Sequence, residues 1–251
     1  FSGLLLRHTT EELRELIYKS KEIYPQIWKG IKWSERKMQW EAPSGARLWM
    51  SYLDRDDDVL RYQGLAFSWI GFDELTQWST PYAWNYMRSR LRSVAQDLPV
   101  YMRATTNPGG PGHQWVKKMF IDPAPYGKQF NATDIESGNV LSYPKGHTKS
   151  GQPLFKRRFI PARLSDNPYL SAQGDYETML LSLPEHQRKQ LLDGDWDIKE
   201  GAAFSEFDRN IHVIEPFSIP RNWVKFRACD YGYGSYSGVL WFAVSPDEQI
   251  I

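Results

Sequence analysis

Hydrophobic residues occur in this chain either as short continuous runs or as amphipathic stretches, and the two patterns predict different elements. The continuous runs, which are typical of strands buried on both faces, occur at 1–6, 65–75 and 99–104. The amphipathic stretches, which predict helices, occur at 9–25, 79–91 and 113–121. Strand and helix alternate through this part of the chain, so it is predicted to form an α/β fold with a mainly parallel sheet flanked by helices.

Other stretches predict smaller elements. Alternating residues at 37–41 and 46–53 surround the turn sequence Ala-Pro-Ser-Gly, which predicts a hairpin. Two short helices are expected farther along, at 171–181 and 183–193. The last part has two strand patterns, 224–230 and 238–244, joined by a turn. This antiparallel pattern differs from the first part, so we expect a second domain there.

The run at 65–75 ends abruptly in two adjacent carboxylates, Asp73 and Glu74. At the carboxyl edge of a parallel sheet such acids lie where ligands bind in open α/β folds. This is the form of a Walker B element, in which the first acid holds Mg²⁺ and the second orients an attacking water. The alternative is a strand that ends in two solvated acids, and this stretch alone leaves both interpretations open.

The next predicted strand ends in the polar sequence Thr105, Thr106 and Asn107, followed by a Pro-Gly-Gly-Pro-Gly turn. In a nucleotide-hydrolysing sheet, a polar residue at this place can bond the γ-phosphate and report its loss. Glycines in the turn permit close backbone approach. An ordinary strand-to-helix turn is the alternative, but the pairing with the acids favours a nucleotide site.

Composition narrows the possible partners. The formal net charge is +1, so any contact with nucleic acid must come from a local patch. One such patch lies between Ser137 and Ser165, which contains no acidic residue and includes Lys156, Arg157 and Arg158. These residues are candidates for binding DNA phosphates, with a solvated surface as the alternative. A single cysteine excludes an internal disulfide, and no run is long enough to cross a membrane.

The motifs together resemble the large terminase subunits of tailed bacteriophages, which package DNA. Residues 60–112 resemble the ATPase motor, through Trp-Ile-Gly-Phe-Asp-Glu and Ala-Thr-Thr-Asn-Pro-Gly-Gly. The segments 164–170, 192–197 and 201–207 resemble the connection to the nuclease, and 228–234 resembles the first nuclease strand. The resemblance implies a P-loop-type ATPase domain over 1–168, a helical linker over 169–200 and the first strands of an RNase H-like nuclease over 201–251.

The resemblance also implies roles for individual residues. Asp73 would coordinate Mg²⁺, Glu74 would activate water, and Thr105, Thr106 and Asn107 would couple ATP hydrolysis to movement. Asp230 would be the first metal-binding, catalytic carboxylate of the nuclease, which uses Mg²⁺ or Mn²⁺ ions. The implied partners are double-stranded viral DNA, the portal protein, the small terminase subunit and further copies of the chain in a ring. The implied location is the host cytoplasm, on the procapsid, without a membrane.

Two departures from the family pattern qualify these expectations. No Gly-x-x-x-x-Gly-Lys-Ser/Thr loop is present, and both ends look cut, so a fragment lacking efficient ATPase and nuclease activity is expected. The arginine that would reach a neighbouring subunit's ATP is expected at Arg61, with Arg7 as the alternative. The rival interpretations are another P-loop motor, such as a helicase, and a non-catalytic packaging or scaffold module.

Overall fold

The computed structural model describes residues 1–95, 97–171, 175–197, 214–215, 217–231 and 237–247. The chain divides into two compact units, Phe1–Glu200 and Gly201–Ile251. The predicted division into an ATPase domain, a linker and a nuclease domain stays a prediction.

A six-stranded sheet organises the first unit, with the spatial order β2-β3-β4-β1-β5-β6. Its strands are β1 Ser2–Arg7, β2 Lys32–Ser34, β3 Gln39–Glu41, β4 Arg47–Tyr52, β5 Trp69–Phe72 and β6 Tyr101–Ala104. The four strands β4, β1, β5 and β6 are parallel, and β3 and β2 add an antiparallel edge. The predicted α/β fold with a mainly parallel sheet is thus confirmed, and so is the hairpin that became β3 and β4.

Alternation along β1 distributes its leucines between two apolar cores. Leu4 and Leu6 are fully buried on one face, in a cluster with Phe72, whereas Leu5 packs on the other face. Helix α1 Thr10–Ile27 covers that second face with Leu13. Strand β1 is therefore buried from both sides, which explains its nearly continuous apolar sequence.

Helix α1 begins at a capping box, as predicted, in which the Thr9 side chain accepts from Glu12 N–H and the Glu12 carboxylate accepts from Thr9 N–H. It does not end at Pro25, as predicted, but continues to Ile27. The missing proline N–H removes one bond near the end of the helix, and Trp28 N–H still bonds Tyr24 O at 2.8 Å.

Three other predicted elements are shorter than expected. The run at 65–75 forms a strand only over Trp69–Phe72. Helix α2 Tyr82–Arg88 stops before Leu91, because residues 90–92 leave the helix to pair with Phe67 through backbone bonds of 3.0 and 2.9 Å. Helix α3 is regular only over His113–Val116 and continues as a π-helical turn, Lys117–Ile121.

The rest of the first unit contains a hairpin and short helices. The hairpin pairs β7 Gln129–Asn131 with β8 Lys156–Arg158. The helices are α4 Pro168–Ser171, α5 Asp175–Leu181 and α6 Glu185–Arg188, the last continued by a π-helical turn, Lys189–Asp193. No helix in the described ranges combines the length and hydropathy needed to cross a bilayer.

The second unit contains the antiparallel pair β9 Val224–Asp230 and β10 Gly238–Val244, with the bounds that the sequence predicts. All seven residues of β9 are exposed within the described part of the chain. The segment 201–207, part of the resemblance, lies outside the described residues, as do residues 232–234.

Candidate functional site

The acid pair lies where β5 ends. Asp73 N–H donates to Leu6 O at 2.9 Å, so the pairing with β1 continues for one residue beyond the strand. Glu74 then adopts the left-handed conformation, with φ 57° and ψ 59°. Glutamate rarely adopts this conformation, and such strain is held by surrounding contacts. Here the contacts come from Thr105, whose hydroxyl accepts from Glu74 N–H at 3.2 Å and whose carbonyl accepts from Leu75 N–H at 2.9 Å.

The polar residues after β6 contact the acids directly. Thr105 Oγ1 donates to Asp73 Oδ1. Asn107 Nδ2 donates to Glu74 Oε1 at 3.3 Å. These contacts join residues more than 30 positions apart because the carboxyl ends of adjacent parallel strands meet at one edge of the sheet.

A second set of bonds holds the turn after β6 against the turn after β5. Thr106 Oγ1 accepts from Thr76 N–H at 3.2 Å, and Thr76 Oγ1 donates to Asn107 O at 3.2 Å. Gly112 N–H donates to Thr76 O at 2.7 Å. Sequence reasoning did not identify Thr76. The available signal was a hydroxyl residue two positions after the acid pair, placed to bond a neighbouring strand end.

The two candidate arginines have partners in their own chain. Arg7 Nε lies 2.8 Å from Asp73 Oδ2 in an ion pair without hydrogen-bond alignment, and each side chain is 18% exposed. Arg61 Nη2 donates to Tyr52 O at 2.8 Å, and its guanidinium lies 5.2 Å from the Tyr52 ring centre. Arg61 also forms an ion pair with Asp58 at 3.5 Å. The role of Arg61 toward a neighbouring subunit's ATP stays a prediction.

Burial and charge give the two acids different environments. Burial raises the pKa of Glu74, the negative charge of Asp73 raises it further, and Arg7 and the Asn107 bond oppose the shift. Asp73 instead has a cation and a hydroxyl donor beside it. The pair therefore combines a carboxylate with a cation and a hydroxyl beside it and a carboxyl whose pKa is raised above its ordinary value.

The oxygen atoms at this edge fit a hard cation by type. Asp73 supplies a carboxylate and Thr105 a hydroxyl, and Mg²⁺ commonly takes one or two protein carboxylates, with waters and phosphates filling its remaining positions. A cluster of three or more His, Cys, Asp or Glu side chains suited to a metal is absent from the residues that the structure describes. Asp73 and Thr105 thus provide a partial ligand set by type, and Mg²⁺ at this edge stays a prediction.

The three basic candidates on β8 do not share a face. Arg157 is buried, and its Nη1 donates to Thr133 O at 2.9 Å, whereas Lys156 and Arg158 are exposed. This alternation follows from the two-residue period of a strand. Burial, reinforced by the nearby Arg88 charge, lowers the pKa of Arg157 to about 10. Arg157 consequently lies inside the fold, whereas contact of DNA with the exposed Lys156 and Arg158 stays a prediction.

Asp230 is the last residue of β9 and pairs with Gly238 across the hairpin. It belongs to the second unit and is exposed there. Its assignment as a nuclease metal ligand stays a prediction.

Comparison with solved structures shows that the fold of this chain is similar to that of bacteriophage large terminases. The large terminase of a thermophilic bacteriophage, in complex with ADP, matches with a TM-score of 0.54 and 17% identity. The same terminase in complex with ATP-γ-S matches with a TM-score of 0.51 and 17% identity. Each match covers 98% of this chain and 52% of that chain. The chain thus spans about half the length of the terminase chains it matches. No protein-family model and no curated protein matches the sequence.

Proposed function

We propose that this chain is part of a large terminase subunit that couples ATP hydrolysis to packaging of double-stranded viral DNA into procapsids. The observation that carries the proposal is the set of bonds between the acid pair after β5 and the polar residues after β6. Similarity to terminase structures with bound ADP and ATP-γ-S supports nucleotide as the ligand. The partners in this function are viral DNA, a portal protein, a small terminase subunit and further copies of the chain in a ring.

Each residue at the edge has a distinct task in the proposed reaction. Asp73 would hold Mg²⁺, which would neutralise part of the negative charge of the phosphates. Glu74 accepts a proton from the attacking water, a task that its raised pKa favours. The Asn107 amide donates to the Glu74 carboxylate at 3.3 Å and thereby fixes its orientation. Thr105 contacts both acids, so it is placed to pass a change at the phosphates to the turn that follows.

Strand β6 suggests where the phosphate-binding loop belongs. It lies at the end of the sheet order, and three of its four residues are exposed. An edge strand offers unpaired backbone groups to another strand. The 251 residues contain no Gly-x-x-x-x-Gly-Lys-Ser/Thr loop. We therefore expect slow ATP turnover by these residues alone, and a loop-bearing strand beside β6 in the active protein.

The experiment that tests the ATPase assignment uses the full-length protein encoded by the reading frame that contains these residues. Replacement of Glu74 by Gln should lower kcat for Mg²⁺-dependent ATP hydrolysis by about 100-fold or more, because general-base catalysis contributes about 10²–10⁴-fold. The control is Glu15→Gln, an exposed position on α1. Wild-type hydrolysis in Glu74→Gln would refute the assignment and favour the scaffold alternative. Strand separation without packaging would favour the helicase alternative.

The same protein is proposed to cut concatemeric DNA with Asp230 as a metal ligand. Replacement of Asp230 by Asn should abolish cutting dependent on Mg²⁺ or Mn²⁺ and leave ATP hydrolysis intact. Cleavage at the wild-type rate would remove Asp230 from the nuclease site.

DNA contact is assigned to the exposed residues of β8. The variant Lys156→Glu/Arg158→Glu should reduce the slope of log affinity against log salt by about two, as expected for two lost phosphate contacts. The variant Lys29→Glu/Lys32→Glu changes the charge equally at exposed positions and serves as the control. Equal weakening in both variants would show a general charge effect in place of a local contact.

A further inference from the structure

A buried histidine joins the turn after β6 to a segment far along the chain. His113 is 6% exposed, and its Nδ1 accepts from Gly109 N–H at 2.8 Å. Its Nε2 lies 3.1 Å from Trp196 O. Since a carbonyl oxygen can only accept, the imidazole is assigned as the neutral tautomer with the proton on Nε2. Both ring nitrogens are thus used, one toward the turn and one toward the distant segment.

The distant segment is held at this place by more than one contact. The Trp196 ring is 3% exposed and stacks on the His113 ring at 5.2 Å between centres. Phe159 contacts the same indole edge-on, at 6.0 Å. Lys117 Nζ, on the π-helical turn after α3, lies 2.7 Å from Asp197 Oδ1. Residues 193–197, called here the docked segment, therefore rest on α3 and its continuation.

The turn that His113 contacts is the one that contacts the acids. Asn107 donates to Glu74, and two residues later Gly109 donates to His113. A continuous series of direct bonds and one short piece of backbone thus runs from the Glu74 carboxylate to the Trp196 carbonyl.

We propose that His113 is a positioning residue that links the arrangement of the acid site to the docking of residues 193–197. The nucleotide dependence of this link rests on the proposed function, whereas the link itself is a property of the folded chain. A change that shifts the turn moves the Gly109 amide, and the imidazole then loses either that bond or the Trp196 bond. The docked segment is the last described stretch of the first unit.

Substitution of His113 by Asn or Gln removes one of its two hydrogen bonds and keeps the other. The amide atoms of Asn lie two bonds from Cβ, as Nδ1 does, so His113→Asn keeps the bond to Gly109 and loses the bond to Trp196. The amide atoms of Gln lie three bonds from Cβ, as Nε2 does, so His113→Gln keeps the bond to Trp196 and loses the bond to Gly109. His113→Phe retains a ring for stacking and removes both. The control is His147→Asn, at an exposed histidine in a surface loop.

Amide hydrogen exchange of the purified chain, followed by mass spectrometry, measures both ends of the link. His113→Phe should accelerate exchange about five-fold in peptides covering 109–112 and 193–197, as expected for loss of one hydrogen bond at each end. His113→Asn should accelerate exchange only at 193–197, and His113→Gln only at 109–112. Wild-type exchange at 193–197 in both His113→Asn and His113→Phe would overturn the docking role.

The link itself is tested from the acid site. Thr105→Val keeps the shape of the side chain and removes its bonds to the acids, so it should accelerate exchange at 193–197. In the His113→Phe background the same substitution should add nothing there. Wild-type exchange at 193–197 in Thr105→Val would overturn the proposal. So would an equal acceleration there when Thr105→Val is introduced into the wild-type and the His113→Phe chains. Neither result depends on ATP hydrolysis, so failure of the ATPase assignment leaves this test intact.

Discussion

Replacement of Gly112 by Ala should destabilise the protein through steric overlap alone. Gly112 has φ −92° and ψ 0°, which alanine can adopt, but an added Cβ would lie 2.2 Å from Trp78 O and 2.9 Å from Thr76 O. Trp78 O accepts a hydrogen bond from Trp115 Nε1, and Thr76 O accepts one from Gly112 N–H, each at 2.7 Å. Overpacking costs about 1–3 kcal/mol, and each weakened bond adds about 1 kcal/mol. The expected loss is therefore about 3 kcal/mol or more, a fall in Tm of about 6–12 °C.

Thermal unfolding followed by circular dichroism measures this loss, and Gly138→Ala provides the matched control. Gly138 has φ +70° and open space where its Cβ would lie, so its cost is backbone strain alone, about 1 kcal/mol. Gly112→Ala should thus melt well below Gly138→Ala. Equal melting temperatures of the two variants would show that the turns after β5 and β6 are packed less closely around Gly112 than the structure has them, and would refute the reasoning.

Three further substitutions and one control have expected outcomes in urea unfolding. Glu74→Gln should raise the free energy of unfolding at neutral pH. A carboxyl whose pKa is raised in the folded protein destabilises the fold once it ionises, and the uncharged Gln removes this cost. The gain should vanish below about pH 4, where the carboxyl is protonated in folded and unfolded chains alike. In an Arg7→Gln background, the stability gained from Glu74→Gln should be larger, because Arg7 opposes the rise in the pKa of Glu74. The same gain in both backgrounds would contradict this. Ser20→Ala should cost about 1–3 kcal/mol by leaving buried Trp40 Nε1, now 2.9 Å from Ser20 Oγ, unpaired. Exposed Ser44→Ala should cost almost nothing.

Patterns that depend on near neighbours could be predicted from sequence. The parallel sheet follows from the alternation of apolar runs and amphipathic stretches. The meeting of Asp73 with Thr105 follows from the rule that parallel strands end at one edge. The contact between His113 and Trp196 joins residues 83 positions apart, and no local periodicity encodes it. Burial of Arg157 could not be predicted either, because a run of basic residues does not show which face of its strand is covered.

The environments of the two adjacent acids, more than their sequence, distinguish the roles that we propose for them. Asp73 and Glu74 are adjacent carboxylates, yet the chain turns sharply between them because Glu74 is left-handed. The turn leaves Asp73 beside Arg7 and the Thr105 hydroxyl. Glu74 accepts from the Asn107 amide, and burial and the Asp73 charge raise its pKa although Arg7 and the Asn107 bond oppose the shift. Two carboxylates in different environments can divide the tasks of one site between them. These environments support the roles that we propose, in which Asp73 would hold a cation and Glu74 would accept a proton from water.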